Sequence, residues 1–346
     1  MKVNYIIVGS GLAGTLFCQK LKEQNKSFIV IDDDSQQSST VAAGMYNPVI
    51  LKRFTAVWRA QEQLNLAMPI YNQLEKELNI RLNYKVPIYR LFSSIEEQNK
   101  WFEAADNPIL SNYLSTELVY INHDCIKSDF GFGKVIQTGR IDTKTLIENY
   151  KLKLESTKQL YSESFDYNDL DFTSTHVKYQ NIEANHIVFA EGFGMKNNPF
   201  FNELPLNGTK GELLTIHAPE LKIDYVIKSS MFLIPIGNDL YRVGATYERS
   251  DKSNLVTEKA KNELVNKLRT FLKCDFSIVD QHAGIRPTVI DRRPLVGRHD
   301  EFKNVYVLNG LGTRGVMIAP YVAKQLFNLI EKNETLNPEI DIKRFN

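Results

Sequence analysis

Three glycines near the start of the chain have a spacing that brings backbone amides close to a phosphate. Gly9, Gly11 and Gly14 lie in the run Gly-Ser-Gly-Leu-Ala-Gly, between an apolar stretch at residues 3–8 and a helical pattern. In such a strand–turn–helix the first glycine permits the turn, the second admits a pyrophosphate, and the third lets the helix pack closely. The helix then directs its free amides and its dipole at the phosphate. We therefore predict a dinucleotide site whose residues here are Gly9, Ser10, Gly11, Leu12, Ala13 and Gly14.

Two acids after the next apolar run extend this site. Residues 27–31 predict a second strand, which ends at Asp32 and Asp33. Asp32 follows Gly14 by 18 residues, close to the roughly 20 expected for the acid that accepts hydrogen bonds from an adenosine ribose. The acids would repel a 2′-phosphate, so NADP is disfavoured. This part of the chain leaves both NAD and FAD open.

A second glycine-rich helix start, near the other end of the chain, favours FAD. Residues 304–308 predict a strand, and a long helical pattern follows it. One helix N-terminus can hold a pyrophosphate, while the other can stabilise negative charge on a reduced flavin ring. An NAD enzyme needs no such second element. The predicted cofactor residues here are Gly312, Thr313, Arg314, Gly315 and Val316. Because His and Cys are scarce near these loops, we expect FAD to be held noncovalently.

Residues 38–45 connect these motifs to a known family. They read Ser-Ser-Thr-Val-Ala-Ala-Gly-Met, and with the glycine run at 9–14 they resemble the FAD-dependent D-amino acid oxidase and glycine oxidase family. The resemblance implies an α/β fold: a Rossmann-like FAD domain of the glutathione reductase type, with an inserted α+β substrate domain on a mostly antiparallel sheet. It also implies cofactor contacts from Ser39, Thr40, Ala43, Gly44 and Met45, and from a strand end at Ala190, Glu191 and Gly192.

The predicted elements must bring distant stretches of the 346 residues together. Cofactor motifs recur from one end of the chain to the other, so we predict a discontinuous FAD domain. Its stretches are residues 1–82, 135–206 and 280–346. The substrate domain is expected to comprise residues 83–134 and 207–279.

Two local patterns predict individual elements. Apolar residues recur at helical spacing over 61–79, where Pro69 is expected to kink or split the helix. Strands at 231–236 and 240–246 flank Gly-Asn-Asp, which predicts a hairpin.

Arg286 is the residue expected to bind the substrate. A guanidinium clamps a carboxylate through two parallel hydrogen bonds and stays protonated. The run Gly-Ile-Arg-Pro at 284–287 resembles the glycine oxidase element whose arginine holds the substrate carboxylate; a salt bridge in a polar turn is the alternative. Phe232 stands where glycine oxidases have a tyrosine, which argues against free glycine as the substrate. Tyr247 is a further candidate for the substrate pocket.

The resemblance implies oxidation of a C–N bond in an amino acid or a carboxylate-bearing secondary amine. The flavin N5 would take a hydride, and the imine would hydrolyse in water. Oxygen or another acceptor would then take the electrons. The run Gly-Leu-Gly-Thr-Arg-Gly at 310–315 also resembles the oxidase domain of the bifunctional tRNA wobble-uridine maturation enzyme. Removal of a carboxymethyl group from a modified uridine is therefore a second hypothesis, and flavin binding without turnover is a third.

The composition of the chain argues against several other classes of protein. Forty-two Lys and Arg against 41 Asp and Glu argue against a nucleic-acid coat, although tRNA stays open as a substrate. Cys18, Cys125 and Cys274 form no ligand pattern, so we expect no metal site and a cytoplasmic location. The start of the chain lacks a signal-peptide pattern, and no apolar stretch approaches the roughly 18 residues of a spanning helix, so no integral membrane contact is expected.

Overall fold

Apolar strands alternate with amphipathic helices along most of the chain, and the computed structural model describes residues 1–173 and 175–345. The helices are α1 (Leu12–Glu23), α2 (Ser38–Val41), α3 (Ala60–Leu78), α4 (Ile95–Ala105), α5 (Thr143–Ser156), α6 (Glu258–Arg269) and α7 (Gly315–Lys332). The strands are β1 (Lys2–Val8), β2 (Phe28–Ile31), β3 (Met45–Tyr46), β4 (Val49–Ile50), β5 (Thr55–Ala56), β6 (Asn83–Tyr84), β7 (Ile88–Leu91), β8 (Leu114–Val119), β9 (Phe132–Val135), β10 (Gly139–Ile141), β11 (Leu160–Tyr161), β12 (Leu170–Phe172), β13 (Val177–Tyr179), β14 (Ile182–Phe189), β15 (Thr209–His217), β16 (Val226–Lys228), β17 (Phe232–Gly237), β18 (Leu240–Gly244), β19 (Ser277–Arg286), β20 (Leu295–Arg298) and β21 (Val305–Asn309).

The first sheet is parallel at its centre, in the order β11, β2, β1, β14, with β21 beside the end of β14. Val8 is paired with both Ile31 and Phe189, so β1, β2 and β14 end at the same level. Alternate residues of β1 enter two different cores: Tyr5 and Ile7 face one, and Ile6 and Val8 face the other. Strands buried on both faces are typical of a parallel sheet. Their aligned carboxyl ends form the edge where ligands bind in such sheets.

The second sheet has the order β19, β15, β18, β17, β16, β7, β9, β8 and is antiparallel except for the pair β16 and β7. One face packs on its own core beneath α6, to which Leu264 and Leu268 contribute. The predicted hairpin is confirmed: β17 and β18 flank the turn. The mixed α/β architecture thus agrees with the expected fold class.

The chain crosses between the two sheets several times. The predicted division at residue 280 falls inside β19, all of which pairs with β15 in the second sheet. A further predicted division, between residues 134 and 135, falls just before the last residue of β9.

Two smaller findings concern the helices. Of the two effects expected of Pro69, a kink or a split, the split is ruled out, because α3 runs from Ala60 to Leu78 without a break. Pro69 lies on its exposed side, where water can bind the carbonyl group of Asn65 that the missing amide would have bound. None of the described helices combines the length and apolarity needed to cross a bilayer.

Candidate functional site

A cavity of about 540 Å³ lies where the carboxyl ends of β1, β2 and β14 face the second sheet. Most of the predicted cofactor residues line it: Gly9, Ser10, Gly11, Leu12, Ala13, Asp32, Asp33, Ser39, Ala43, Gly44, Met45, Ala190, Glu191, Gly192, Gly312, Thr313, Gly315 and Val316. Three predicted residues do not: Gly14, Thr40 and Arg314. All three predicted substrate residues line it: Phe232, Tyr247 and Arg286.

At two positions of the glycine turn, Gly9 and Gly14, there is no room for a side chain. Gly9 has a positive φ of 100°, and a Cβ there would lie 2.6 Å from the Ala190 carbonyl oxygen. A Cβ on Gly14 would lie 2.0 Å from the Gly9 carbonyl oxygen. Gly14 therefore lets α1 approach the turn, although it does not face the cavity. This cradle fits the phosphates of a dinucleotide such as FAD.

Asp32 fixes the turn as well as facing the cavity. Its carboxylate accepts hydrogen bonds from the Ser10 amide at 2.7 Å and from the Ser10 hydroxyl. The Asp34 amide donates to the other carboxylate oxygen at 2.9 Å. Lys151, on α5, lies 3.3 Å from Asp32 and balances its charge. Lys151 is far away in sequence, so no local pattern points to it.

Glu191 is a half-buried acid in the wall of the cavity. Its carboxylate accepts hydrogen bonds from the side-chain amide of Asn198 at 2.7 Å and from the Tyr167 hydroxyl. Burial raises the pKa of Glu191 to about 7, and the hydrogen bonds reverse only part of this effect. Repulsion by Asp33 also acts to raise the pKa. Protonated and ionised Glu191 are therefore both present near neutral pH.

On the substrate side, Arg286 faces the cavity without an acidic partner. Its guanidinium lies over Gly211, where a Cβ would come within 1.9 Å of Nη2. Its hydrogen bonds to the Thr246 carbonyl are long, at 3.4 and 3.5 Å, and its Cζ lies 5.5 Å from the Tyr247 ring centre. Burial lowers the pKa of Arg286, while Tyr247 acts in the opposite direction. Across the described chain, no carboxylate forms an ion pair with it.

Phe232 and Tyr247 both line the cavity. Phe232 is opposite Gly244 in the sheet, and Lys228 Nζ lies 4.7 Å from its ring centre. Burial lowers the pKa of Lys228 to about 8, and repulsion by Arg90 contributes. Tyr247 is 55% exposed, which places it at the mouth of the cavity.

The loop at residues 38–45 is held from the second sheet. Arg242, on β18, donates to the Ala42 carbonyl at 3.1 Å and to the Val41 carbonyl at 3.3 Å. A Cβ on Gly284 of β19 would lie 3.2 Å from Ser38 Cα, so α2 and β19 are in close contact. The sheet that carries Arg286 therefore also positions the loop at residues 38–45.

Sequence reasoning missed other residues of the cavity wall: Gln36, Thr143, Glu163, Ser164, Phe165, Tyr167, Ala245, Asn309 and Leu311. Residues 163–167 follow β11, which is parallel to β2 and ends at the same edge. Residues 163–167 could have been predicted if β11 had been recognised in the sequence. However, β11 is only two residues long.

Metal ions require particular donor sets, mostly side chains of His, Cys, Asp and Glu. Over residues 1–173 and 175–345, no cluster of His, Cys, Asp or Glu is arranged to hold a metal ion. Neither a cysteine nor a histidine is among the described residues that line the cavity.

Comparison with known proteins gives the family and the fold. The family model "FAD dependent oxidoreductase" (DAO) matches residues 4–329. The chain is 23% identical to glycine oxidase from Bacillus subtilis over 364 aligned positions, covering 96% of this chain and 95% of that protein. It is 21% identical to the tRNA 5-methylaminomethyl-2-thiouridine biosynthesis bifunctional protein MnmC from Legionella pneumophila, covering 96% of this chain but only 55% of that protein. The crystal structure of glycine oxidase from Geobacillus kaustophilus superposes with a TM-score of 0.81 at 18% identity, covering 97% of each chain.

Proposed function

Because the chain belongs to the family of FAD-dependent oxidoreductases, we propose that it oxidises the carbon–nitrogen bond of an amino acid or of a secondary amine that carries a carboxylate. The observation that carries this proposal is Arg286, a cation without an acidic partner that faces the cavity. A buried charge is costly unless an opposite charge neutralises it, so a carboxylate is the ligand that this position favours.

The residues that hold FAD in this proposal are those of the glycine turn, Asp32 and the loop at 38–45. Their amides, carboxylate and small side chains line one continuous wall. Binding is noncovalent, which agrees with a cavity wall free of cysteine and histidine in the part of the chain described. FAD bound there would supply an acceptor for the hydride that leaves the carbon next to the amine nitrogen.

The protein's own contribution is to orient the substrate. Arg286 holds the carboxylate, and the apolar side chains of Phe232 and Ile234 form a wall that limits water around the reacting carbon. Fixing the reacting groups in this way removes much of the entropic barrier. Hydride transfer from the neutral amine requires no dedicated histidine base.

The proposal is tested by anaerobic addition of amino acids and N-alkyl amino acids to the FAD-loaded protein. At least one should bleach the flavin absorbance. Arg286→Met should lower kcat/KM by about two or more orders of magnitude, since a bidentate charge-assisted contact is lost. Arg286→Lys keeps the charge without the planar fork and should retain part of the activity.

The control is Arg293→Met, which removes an arginine that already has a carboxylate partner, Glu339, at 3.1 Å. Its kcat/KM should stay near that of the wild type. Absence of bleaching by every amine, or an unchanged kcat/KM in Arg286→Met, would refute the proposal. Oxygen is then admitted to the bleached protein. Return of the flavin absorbance would show that oxygen accepts the electrons.

The match to MnmC over 96% of this chain supports a second candidate, removal of a carboxymethyl group from a modified uridine in tRNA. That substrate is also a secondary amine with a carboxylate, so Arg286 would keep its role. The chain spans about half the length of that relative. Binding of tRNA that weakens steeply with salt, together with bleaching by modified tRNA alone, would favour this candidate.

A further inference from the structure

A fully buried lysine lies behind the part of β15 that makes room for Arg286. Lys210 precedes Gly211 on this strand, and its exposed fraction is 0%. Successive side chains of a strand point to opposite faces, so Lys210 points away from the cavity that Gly211 lines. Burying an ammonium group is costly unless it is paired and hydrogen-bonded. Hydride transfer from a substrate held by Arg286 needs no cation at this position, so the buried charge calls for another explanation.

Lys210 binds the chain segment between β18 and α6, residues 245–257, which we call the mouth segment. In the described structure this segment forms neither a helix nor a strand. The ammonium group donates hydrogen bonds to the Asp251 carboxylate at 2.5 Å, to the Ser253 hydroxyl at 3.5 Å and to the Leu255 carbonyl. The backbone amide and carbonyl of Lys210 also pair with those of Glu248, at 2.9 Å each. One residue therefore holds an otherwise irregular segment at several points.

The mouth segment carries Tyr247, which lines the cavity. The centre of its ring lies 5.5 Å from Arg286 Cζ, and its hydroxyl makes no hydrogen bond within the described residues. Because Tyr247 is 55% exposed, its position depends mainly on the backbone that carries it. Further along the segment, the side-chain amide of Asn254 donates to the Ser35 carbonyl at 3.3 Å, and Ser35 also lines the cavity. The mouth segment therefore meets the cavity wall at two separate places.

We propose that Lys210 is a positioning residue for substrate binding: it holds the mouth segment so that Tyr247 stays beside Arg286 before a substrate enters. This inference rests on the proposed function, in which Arg286 binds the substrate carboxylate. Three acceptors converge on one ammonium group, and this fixes the path of the segment. The substrate then does not have to order the segment itself, so that entropic cost does not reduce its affinity. Lys210 contacts neither the substrate nor FAD in this proposal.

The first measurement follows the mouth segment itself, by limited proteolysis of the FAD-loaded protein. Trypsin can cut the segment after Arg249 and Lys252, which are both exposed. Asp251→Ala and Lys210→Met should each speed these cuts about tenfold or more, because a hydrogen bond between charged groups no longer opposes local opening. Asp251→Glu can still pair with Lys210 and should be cut at a rate closer to that of the wild type. Glu258→Ala is the matched control, because it removes an acid that is 75% exposed and pairs elsewhere, and its rate should stay unchanged.

The second measurement follows binding of butyrate, an unreactive carboxylate, from the perturbation of the flavin absorption. Lys210→Met and Tyr247→Ala should each weaken butyrate about tenfold. In the Tyr247→Ala background, Lys210→Met should have little further effect, because the ring that it positions is gone. With an amine that bleaches the flavin, Lys210→Met should raise KM about tenfold and change kcat less than about twofold.

The inference is overturned if Lys210→Met and Asp251→Ala leave either the trypsin cuts or butyrate binding unchanged. It is also overturned if Lys210→Met weakens butyrate equally with and without Tyr247. Should Lys210→Met fail to fold, Asp251→Ala decides by the same measurements. Arg286→Met separates the two levels. If it leaves butyrate binding unchanged, the proposed function fails and the inference fails with it; if it abolishes binding but the Lys210 and Asp251 variants match the wild type, only the inference fails.

Discussion

The position of Arg286 depends on a residue that has no side chain. Gly211 sits on β15 beside β19, and the guanidinium occupies the space that a Cβ would take. A strand glycine usually weakens a sheet, but here it allows a cation to lie flat against the backbone. The Gly-Ile-Arg-Pro run pointed to Arg286, which lines the cavity. Gly211 could not be predicted, because its role arises from pairing between strands about 70 residues apart.

Glu191 provides a prediction about pH. Its pKa is about 7 in the folded protein, compared with an ordinary value of 4.5. The folded state therefore holds a proton that the unfolded state releases, and its stability falls as the pH rises from about 4.5 to 7. The substitution Glu191→Gln removes this loss of stability. The free energy of unfolding of the variant relative to wild type should rise by about 2 kcal/mol between pH 5 and 7.

This difference can be measured by urea denaturation of the FAD-free protein at several pH values. The exposed Glu203→Gln variant controls for the change of net charge. A difference between Glu191→Gln and wild type that is the same at every pH would show that Glu191 is already ionised at pH 5 in the folded protein.

Among the elements, the short helix α2 and the loop after it connect the two sheets. Arg242 reaches from β18 to the carbonyls of Val41 and Ala42, yet it does not line the cavity. Arg242→Met should therefore weaken FAD binding about tenfold through the loop, since hydrogen bonds to a charged donor contribute about 1.5–3 kcal/mol. Arg242→Lys should show an intermediate affinity.

FAD titration of the apoprotein, followed by flavin fluorescence, gives the dissociation constants. Arg249→Met, at an exposed arginine, is the matched control and should bind FAD like the wild type. An unchanged dissociation constant in Arg242→Met would mean that the loop keeps its position without this contact.

Elements with a strong local signal were predictable from the sequence. The glycine turn with β1 and α1, the hairpin of β17 and β18, and α7 all follow from apolar periodicity and turn residues. The loop contact of Arg242 and the charge balance of Asp32 by Lys151 were not predictable. Both depend on how the two sheets and α5 pack, and nothing near these residues in sequence encodes that packing.

At the scale of the whole molecule, the cavity joins both sheets. Its wall extends from Val8 to Val316 in sequence and includes residues of β15, β17, β18 and β19. FAD should therefore stabilise the entire chain and not one sheet alone. At a free concentration a thousandfold above its dissociation constant, FAD should add about 4 kcal/mol to the free energy of unfolding.

Thermal unfolding of the apo and FAD-loaded forms, followed by circular dichroism, checks this expectation. One transition should move as a unit to higher temperature. If two transitions appear and only one of them moves, the sheets unfold independently and the cavity does not couple them.

The assembly of the cavity wall from distant parts of the chain also has a consequence for the synthesis of the protein. Gly312 to Val316 complete the cavity wall at the start of α7, far downstream of the glycine turn at residues 9–14. A ribosome must therefore release the chain as far as α7 before the complete wall exists. Until then the growing polypeptide holds an incomplete nucleotide site, so capture of the cofactor in its full cavity follows the synthesis of α7.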